Sequence, residues 1–277
     1  AKAALDPNKA IGLAAPEAAQ LCQDKECVDM ALLENLDDRI NALPADQRAH
    51  GVVLVLHQMG SHGPAYFKRS LPQDKKFGPE CTNVSLQSCD REAVVNAYDN
   101  SIVATDRMLG GLITWLEAKG QRQPTAMMYV ADHGESLGEN NIYLHGLPYS
   151  VAPDVQKHVP WITWLSPLMQ QRMGVSTACL QQSVGQAKIS HDNYFHSVLG
   201  LTDVQTGLHN ASLDIFASCA RSLPQSTLSK AEHPPAKTAL SAAAPADGAV
   251  LAAATPQSVT SPKPPARAQT PGARKPA

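Results

Sequence analysis

Apolar side chains recur at Met30, Leu33, Leu36, Ile40 and Leu43, a helical interval that predicts one helix over residues 28–43, ended by Pro44. The period then changes. Gly51-Val-Val-Leu-Val-Leu56 is an unbroken run of β-branched residues and leucine, and it predicts a strand buried on both faces, as in a parallel sheet. Residues 65–90 are polar and turn-rich. From Glu92 to Leu116 the positions Val94, Val95, Tyr98, Ile102, Met108, Leu109, Leu112, Ile113 and Leu116 fit one long helix, closed by Gly120 and Pro124. Ala126-Met-Met-Tyr-Val130 reads as a short buried strand, and Val159–Leu165 as another, with Pro160 tolerable near its start. Ser190 is placed to cap a short helix over 191–200. Strand, long helix, strand is the grammar of an α/β fold with a mostly parallel sheet flanked by helices.

Composition divides the chain near residue 220. No aromatic residue follows Phe216, and residues 221–277 hold ten of the 21 prolines. Such a segment cannot bury enough apolar surface to offset its ordering entropy, so a disordered Pro/Ala-rich tail is expected behind a body of residues 1–220. The tail carries seven Lys/Arg against two Asp/Glu and the body 16 against 23. A basic tail can meet an anionic membrane surface, but a solvated linker is the plainer reading. No run of about 18 apolar residues occurs, so no span is predicted. Lys2 is followed by no apolar signal core, and the chain reads as entering partway through a larger protein. No nucleic-acid partner is expected, and the chain is read as a monomer.

The six cysteines form two close pairs and one distant pair, which suggests disulfides in an oxidising compartment. Six cysteines allow about 15 connectivities. The pairing expected is Cys22–Cys27, Cys81–Cys89 and Cys179–Cys219; a structural zinc site is the rival, though neither close pair has CxxC spacing.

Asp132-His133 follows the 126–130 strand, at the carboxyl end where open α/β sheets place their chemistry. An acid beside an imidazole, with Gly134 allowing a sharp turn, suits a zinc ion taking one oxygen and one nitrogen. The alternative is a turn in which Asp132 caps a helix and His133 is incidental. His57, His62 and His145 also fall at strand ends or in the loops leaving them, and right-handed crossovers bring such ends to one rim of a sheet. Glu135 and Glu139 stay outside the first ligand shell, Glu135 as a partner behind the metal or as an ordinary helix-start acid. Lys68 and Arg69 suit lipid phosphates or simple solvation. His191 and Asp192, after the expected cap, stay open between structure and function.

His57-Gln-Met-Gly-Ser-His-Gly-Pro-Ala-Tyr-Phe-Lys-Arg69, Asn96-Ala-Tyr-Asp-Asn100, Ala131-Asp-His-Gly-Glu-Ser-Leu-Gly-Glu-Asn140 and Tyr143-Leu-His-Gly146 carry a resemblance to the phosphoethanolamine transferases. That family includes the lipid A-modifying enzymes of polymyxin resistance and belongs to the alkaline phosphatase/sulfatase superfamily. The resemblance runs from about Cys22 to Cys219. It implies an alkaline-phosphatase-like catalytic domain at the periplasmic face of the Gram-negative inner membrane, fused behind a membrane-embedded helical domain. It also implies transfer of phosphoethanolamine from phosphatidylethanolamine to lipid A or a core sugar, with zinc as cofactor. Asp132 and His133 match the zinc ligands; His62 and His145 match histidines of the phosphoryl site or of a further zinc; His57 matches a third catalytic histidine, and Lys68 falls to substrate binding.

Two family parts find no match: a strand-end glutamate that ligates zinc, and a nucleophilic threonine. Residues 1–60 contain neither Ser nor Thr. The chain therefore reads as the carboxyl-terminal part of such a catalytic domain, inactive by itself. The alternatives are a non-catalytic remnant or a phosphoglycerol transferase; a sulfatase activity would need a Cys/Ser-x-Pro-x-Arg stretch, and none occurs.

Overall fold

The computed structural model describes residues 20–23, 26–184 and 188–220, so the tail expected over 221–277 lies outside the described residues. Its spine is the helix Arg91–Gly120. One face of that helix is buried along its whole length, and each half supports a different cluster. The first half sets Val94 and Ala97 against Tyr66, Cys81, Leu86 and Leu137. The second sets Met108, Leu109, Leu112 and Leu116 against Leu36 and Met127. A third cluster gathers Leu165, Met169, Val175, Phe216 and Cys219.

Polar residues on the buried face are satisfied. Asn100 accepts from the amides of Lys76 and Phe77 at 2.8 and 2.9 Å, and donates to the Phe77 carbonyl and Glu80 Oε2 at 2.9 and 3.2 Å. One side chain thus pins the whole 76–80 loop to the spine. Asp74, 2 % exposed, pairs with Arg107, two helical turns on from Asn100, at 2.8 Å. A buried carboxylate needs such a partner.

The strands are short. β1 (Cys22–Gln23) and β2 (Glu26–Cys27) form an antiparallel hairpin closed by the Cys22–Cys27 disulfide. β3 (Ala126–Val130) pairs antiparallel with a later strand, Trp161–Leu165, Ala126 facing Leu165 and Val130 facing Trp161. Between them β4 (Ser136–Leu137) and β5 (Tyr143–Leu144) pair antiparallel, Ser136 opposite Leu144. Disulfides also join Cys81–Cys89 and Cys179–Cys219. No helix among the described residues is long and apolar enough to cross a membrane.

Three expectations change. The single helix over 28–43 is a 3-10 turn, Asp29–Leu33, then a helix, Leu36–Asn41, because Asn35 turns left-handed (φ 55°) between them. The run Gly51–Leu56 forms no strand, and Val53 and Val55 stand 69 % and 86 % exposed. A β-rich sequence becomes a strand only beside a neighbour that takes up its amides and carbonyls, and none is present among the described residues. For the same reason the expected parallel crossover between that run and β3 is absent here; the strand hydrogen-bonded to β3 runs antiparallel.

Candidate functional site

The β3 strand ends at Val130, and residues 131–135 loop across to β4. That loop hangs from the segment before the Trp161–Leu165 strand. Gly134 donates to the Gln156 carbonyl at 3.0 Å, and Ala131 to that of Pro160 at 3.3 Å. Gly134 is required by closeness: a Cβ there would run into the Val155 backbone carbonyl. His191 holds the same loop from the other side, its Nε2–H donating to the Ala131 carbonyl at 2.8 Å.

Register then decides which side chains meet. Because Ser136 faces Leu144, the residues just outside the pair, Glu135 and His145, are neighbours across the hairpin. His145 donates from Nδ1 to Glu135 Oε1 at 3.1 Å. The same oxygen accepts the Gly63 amide at 3.2 Å, which brings in the turn carrying His62. Gly63 too must be glycine, since a Cβ would meet the Leu144 side chain and the Tyr66 ring.

Three imidazoles converge. His133 stacks on His145 with ring centroids 3.7 Å apart, and His62 meets them edge-on at 5.0 Å from His145 and 6.0 Å from His133. One ligand atom from each lies within 4.8 Å of the others. Every Nδ1 faces an oxygen: the Gly63 carbonyl for His62 at 2.6 Å, the Gly134 carbonyl for His133 at 3.0 Å, and Glu135 for His145. Those oxygens accept, so Nδ1 carries the hydrogen and Nε2 is left with its lone pair, the tautomer a metal requires. Asp132 stands at the rim, 89 % exposed, with Oδ2 3.8 Å from His133 Nε2. Two donors sharing a tetrahedral zinc sit roughly 3.3 Å apart, given bonds of about 2.0–2.1 Å. The three imidazoles could thus reach one divalent ion, while Asp132 stands outside that group, near His133 alone.

His57 is exposed, does not join the three, and lies near Asp29. Lys68 is exposed on the turn Tyr66–Lys68. Arg69 is turned inward, donating from Nε to the His62 carbonyl at 3.1 Å and pairing with Glu26 at 3.3 Å, so it is bound to the protein's own groups. Glu139 accepts from the Leu137 amide at 2.7 Å and pairs with Arg91 at 3.0 Å. Burial pushes its acidity one way, but the amide and the guanidinium together hold its carboxyl below the ordinary glutamate range. Burial, reinforced by the neighbouring Glu135 charge, pushes the Tyr66 hydroxyl well above its ordinary value.

The family model described as Sulfatase matches residues 6–204. The chain belongs to the sulfatase family. Within it the chain falls among the phosphoethanolamine transferases. EptA of Salmonella typhimurium, named a phosphoethanolamine transferase, is 46 % identical over 200 residues, covering 72 % of this chain and 36 % of that protein. Mcr-2 of Escherichia coli, named a phosphatidylethanolamine transferase, is 38 % identical over 182 residues, covering 66 % of this chain and 31 % of that protein. The chain thus spans about a third of the length of these relatives. Among solved structures, the soluble domain of lipooligosaccharide phosphoethanolamine transferase A from Neisseria meningitidis superposes with a TM-score of 0.67 at 39 % identity, over 73 % of this chain and 59 % of that one. The periplasmic domain of EptC from Campylobacter jejuni gives 0.61 at 36 % identity, over 71 % and 60 %. This sulfatase-family chain shares the α/β, alkaline-phosphatase-like fold class of those domains.

Proposed function

We propose that this chain supplies the metal- and phosphoryl-binding histidines of a zinc-dependent phosphoethanolamine transferase, one that moves the group from phosphatidylethanolamine to lipid A or another outer-envelope glycan. The observation carrying this reading is the convergence of three imidazoles, each with its Nδ1 facing an oxygen of the protein. Similarity to EptA and to the Neisseria and Campylobacter domains supports it. A periplasmic site of action, beside the inner membrane, follows from the same likeness.

In this reading Asp132 and His133 hold the zinc, and a bound zinc would polarise the phosphoryl oxygens and lower the pKa of an attacking hydroxyl. His62 and His145 line the phosphoryl group. Their Nε2 atoms are fixed by backbone and carboxylate partners, so either can join the metal shell or, once protonated, give its proton to the departing diacylglycerol oxygen. Glu135 keeps His145 aimed by accepting its Nδ1 hydrogen. The exposed His57 and Lys68 remain assigned to the approaching phospholipid. The described residues up to 220 are the catalytic portion.

Two measurements test this. Zinc competition on the purified chain should give binding that His133→Ala abolishes. Lipid mass spectrometry of cells expressing the complete reading frame should reveal phosphoethanolamine on lipid A, lost in the same variant, while the 277-residue chain by itself shows no turnover. Unchanged zinc binding in His133→Ala, or unaltered lipid A in expressing cells, would refute the assignment.

A further inference from the structure

The turn that presents His62 is held by groups outside the motif that contains it. Asp29 places one carboxylate oxygen on each of two consecutive amides, Met59 N to Oδ1 at 2.9 Å and Gly60 N to Oδ2 at 2.7 Å. Gly60 takes a left-handed conformation (φ 54°), which lets both amides point the same way. The Met59 carbonyl then accepts the His62 amide at 3.1 Å, closing the turn. On the far side, Arg69 Nε donates to the His62 carbonyl at 3.1 Å while its Nη1 reaches Glu26 at 3.3 Å. Glu26 lies on the hairpin that the Cys22–Cys27 disulfide closes, and Asp29 opens the 3-10 turn two residues past Cys27.

We propose that Asp29 is a positioning residue for His62, and that the disulfide-closed hairpin with Glu26 and the 3-10 turn with Asp29 that follows it bracket the His62 turn from both ends. The inference takes its purpose from the phosphoryl-site reading but its geometry from contacts independent of it. A carboxylate in this place is costly unless it has work. Asp29 is largely removed from water and burial raises its pKa above the ordinary range, with the two amides and the Arg69 charge only partly offsetting that. Its donors are both backbone groups of one turn. What the carboxylate fixes is the direction in which the chain leaves Gly60, and therefore where the His62 ring can reach. Ring orientation matters because His62 Nδ1 must keep the Gly63 carbonyl at 2.6 Å for Nε2 to stay free of hydrogen.

The test uses the full 277-residue chain with its disulfides intact. Imidazole nitrogen NMR reports the tautomer of each histidine separately, and zinc competition reports affinity. In Asp29→Asn, an isosteric change that replaces one acceptor by a donor facing an amide, His62 should lose its pure Nδ1–H signature. His133 and His145 should keep theirs, and zinc affinity should fall roughly tenfold, as is usual when a partner behind a ligand is lost. Glu26→Gln, at an exposed position, should move His62 the same way by less, and it answers the question if Asp29→Asn does not fold. Asp74→Asn removes a different buried carboxylate, one whose partners are Leu71 and Arg107 rather than Met59 and Gly60, and should leave His62 unmoved.

The proposal is overturned if His62 is unchanged in both bracket variants, or if Asp74→Asn moves it equally. A native chain that fails to bind zinc, while His62 still responds to Asp29→Asn, would sink the metal reading and leave Asp29 as the positioning residue.

Discussion

Glu135→Ala is the sharpest probe of the site's construction. A single oxygen, Oε1, accepts both the buried Gly63 amide at 3.2 Å and His145 Nδ1 at 3.1 Å, and the side chain is 3 % exposed. Truncation leaves two donors without an acceptor. A buried unsatisfied group costs about 1–3 kcal/mol. The Gly63 amide should incur most of that, whereas His145, 29 % exposed, can turn partly to water. The sum is roughly 2–4 kcal/mol, or about 6–12 °C in melting temperature for a domain near this size. Zinc affinity should fall by about 10–100-fold, because His145 loses the acceptor that fixes its orientation. Glu135→Gln separates shape from charge: its amide oxygen can occupy the Oε1 position and serve both donors, so its melting temperature should fall by less than half as much. Calorimetric unfolding and zinc competition on the two variants decide the matter. If Ala melts within a degree or two of the native chain and binds zinc equally well, or if Gln is as damaging as Ala, the reasoning from one shared acceptor fails.

Other outcomes follow from the same geometry. Gly134→Ala should abolish soluble folded protein or lower its melting temperature severely, since the added carbon meets the Val155 backbone rather than a movable side chain; a normal melt would refute the close approach. Glu139 has a depressed folded pKa, so its contribution is present at neutral pH and disappears as pH falls through its ordinary value of 4.5 and below. Denaturation at neutral and acid pH should accordingly find Glu139→Gln less stable than the native chain at neutrality and indistinguishable from it in acid. Removing Cys179–Cys219, which closes a separation of 40 residues, should destabilise by about 4 kcal/mol. Removing Cys22–Cys27, with a separation of 5, should cost about 2 kcal/mol on the same chain-entropy argument. Equal losses on denaturant titration would contradict it.

Much of the fold is legible in the sequence where one element's own pattern decides its fate. The helix Arg91–Gly120 keeps a single buried face through its whole length, and the Ala126–Val130 and Trp161–Leu165 strands are short apolar runs bounded by breakers. Legibility fails where the outcome belongs to a partner. Asn35 is a residue type that accepts the left-handed turn, but the unbroken apolar interval around it hides the split, and the β-rich 51–56 run carries no mark of having no strand neighbour among the described residues. His133 and His145 do leave strands, but His62 follows a run that forms none, so parallel crossovers do not account for the convergence of the three. Their ring partners are not legible either, because the Glu135–His145 contact depends on the register of a two-residue hairpin. Asp29 lies 31 positions from Gly60 and outside every recognisable motif. Arg69, which reads as a solvated charge beside Lys68, is spent on the chain's own carbonyl.

The open stretch before His57 has a practical side. Residues 52–55 carry four aliphatic side chains with a strong liking for extended conformation, and all four are exposed. Unpaired backbone of that kind adds to any similar backbone it meets, copy upon copy. Concentrated samples should thus thicken into fibrous precipitate from this seam outward, and a lysine in place of Val53 or Val55 should keep them clear without disturbing the histidines downstream.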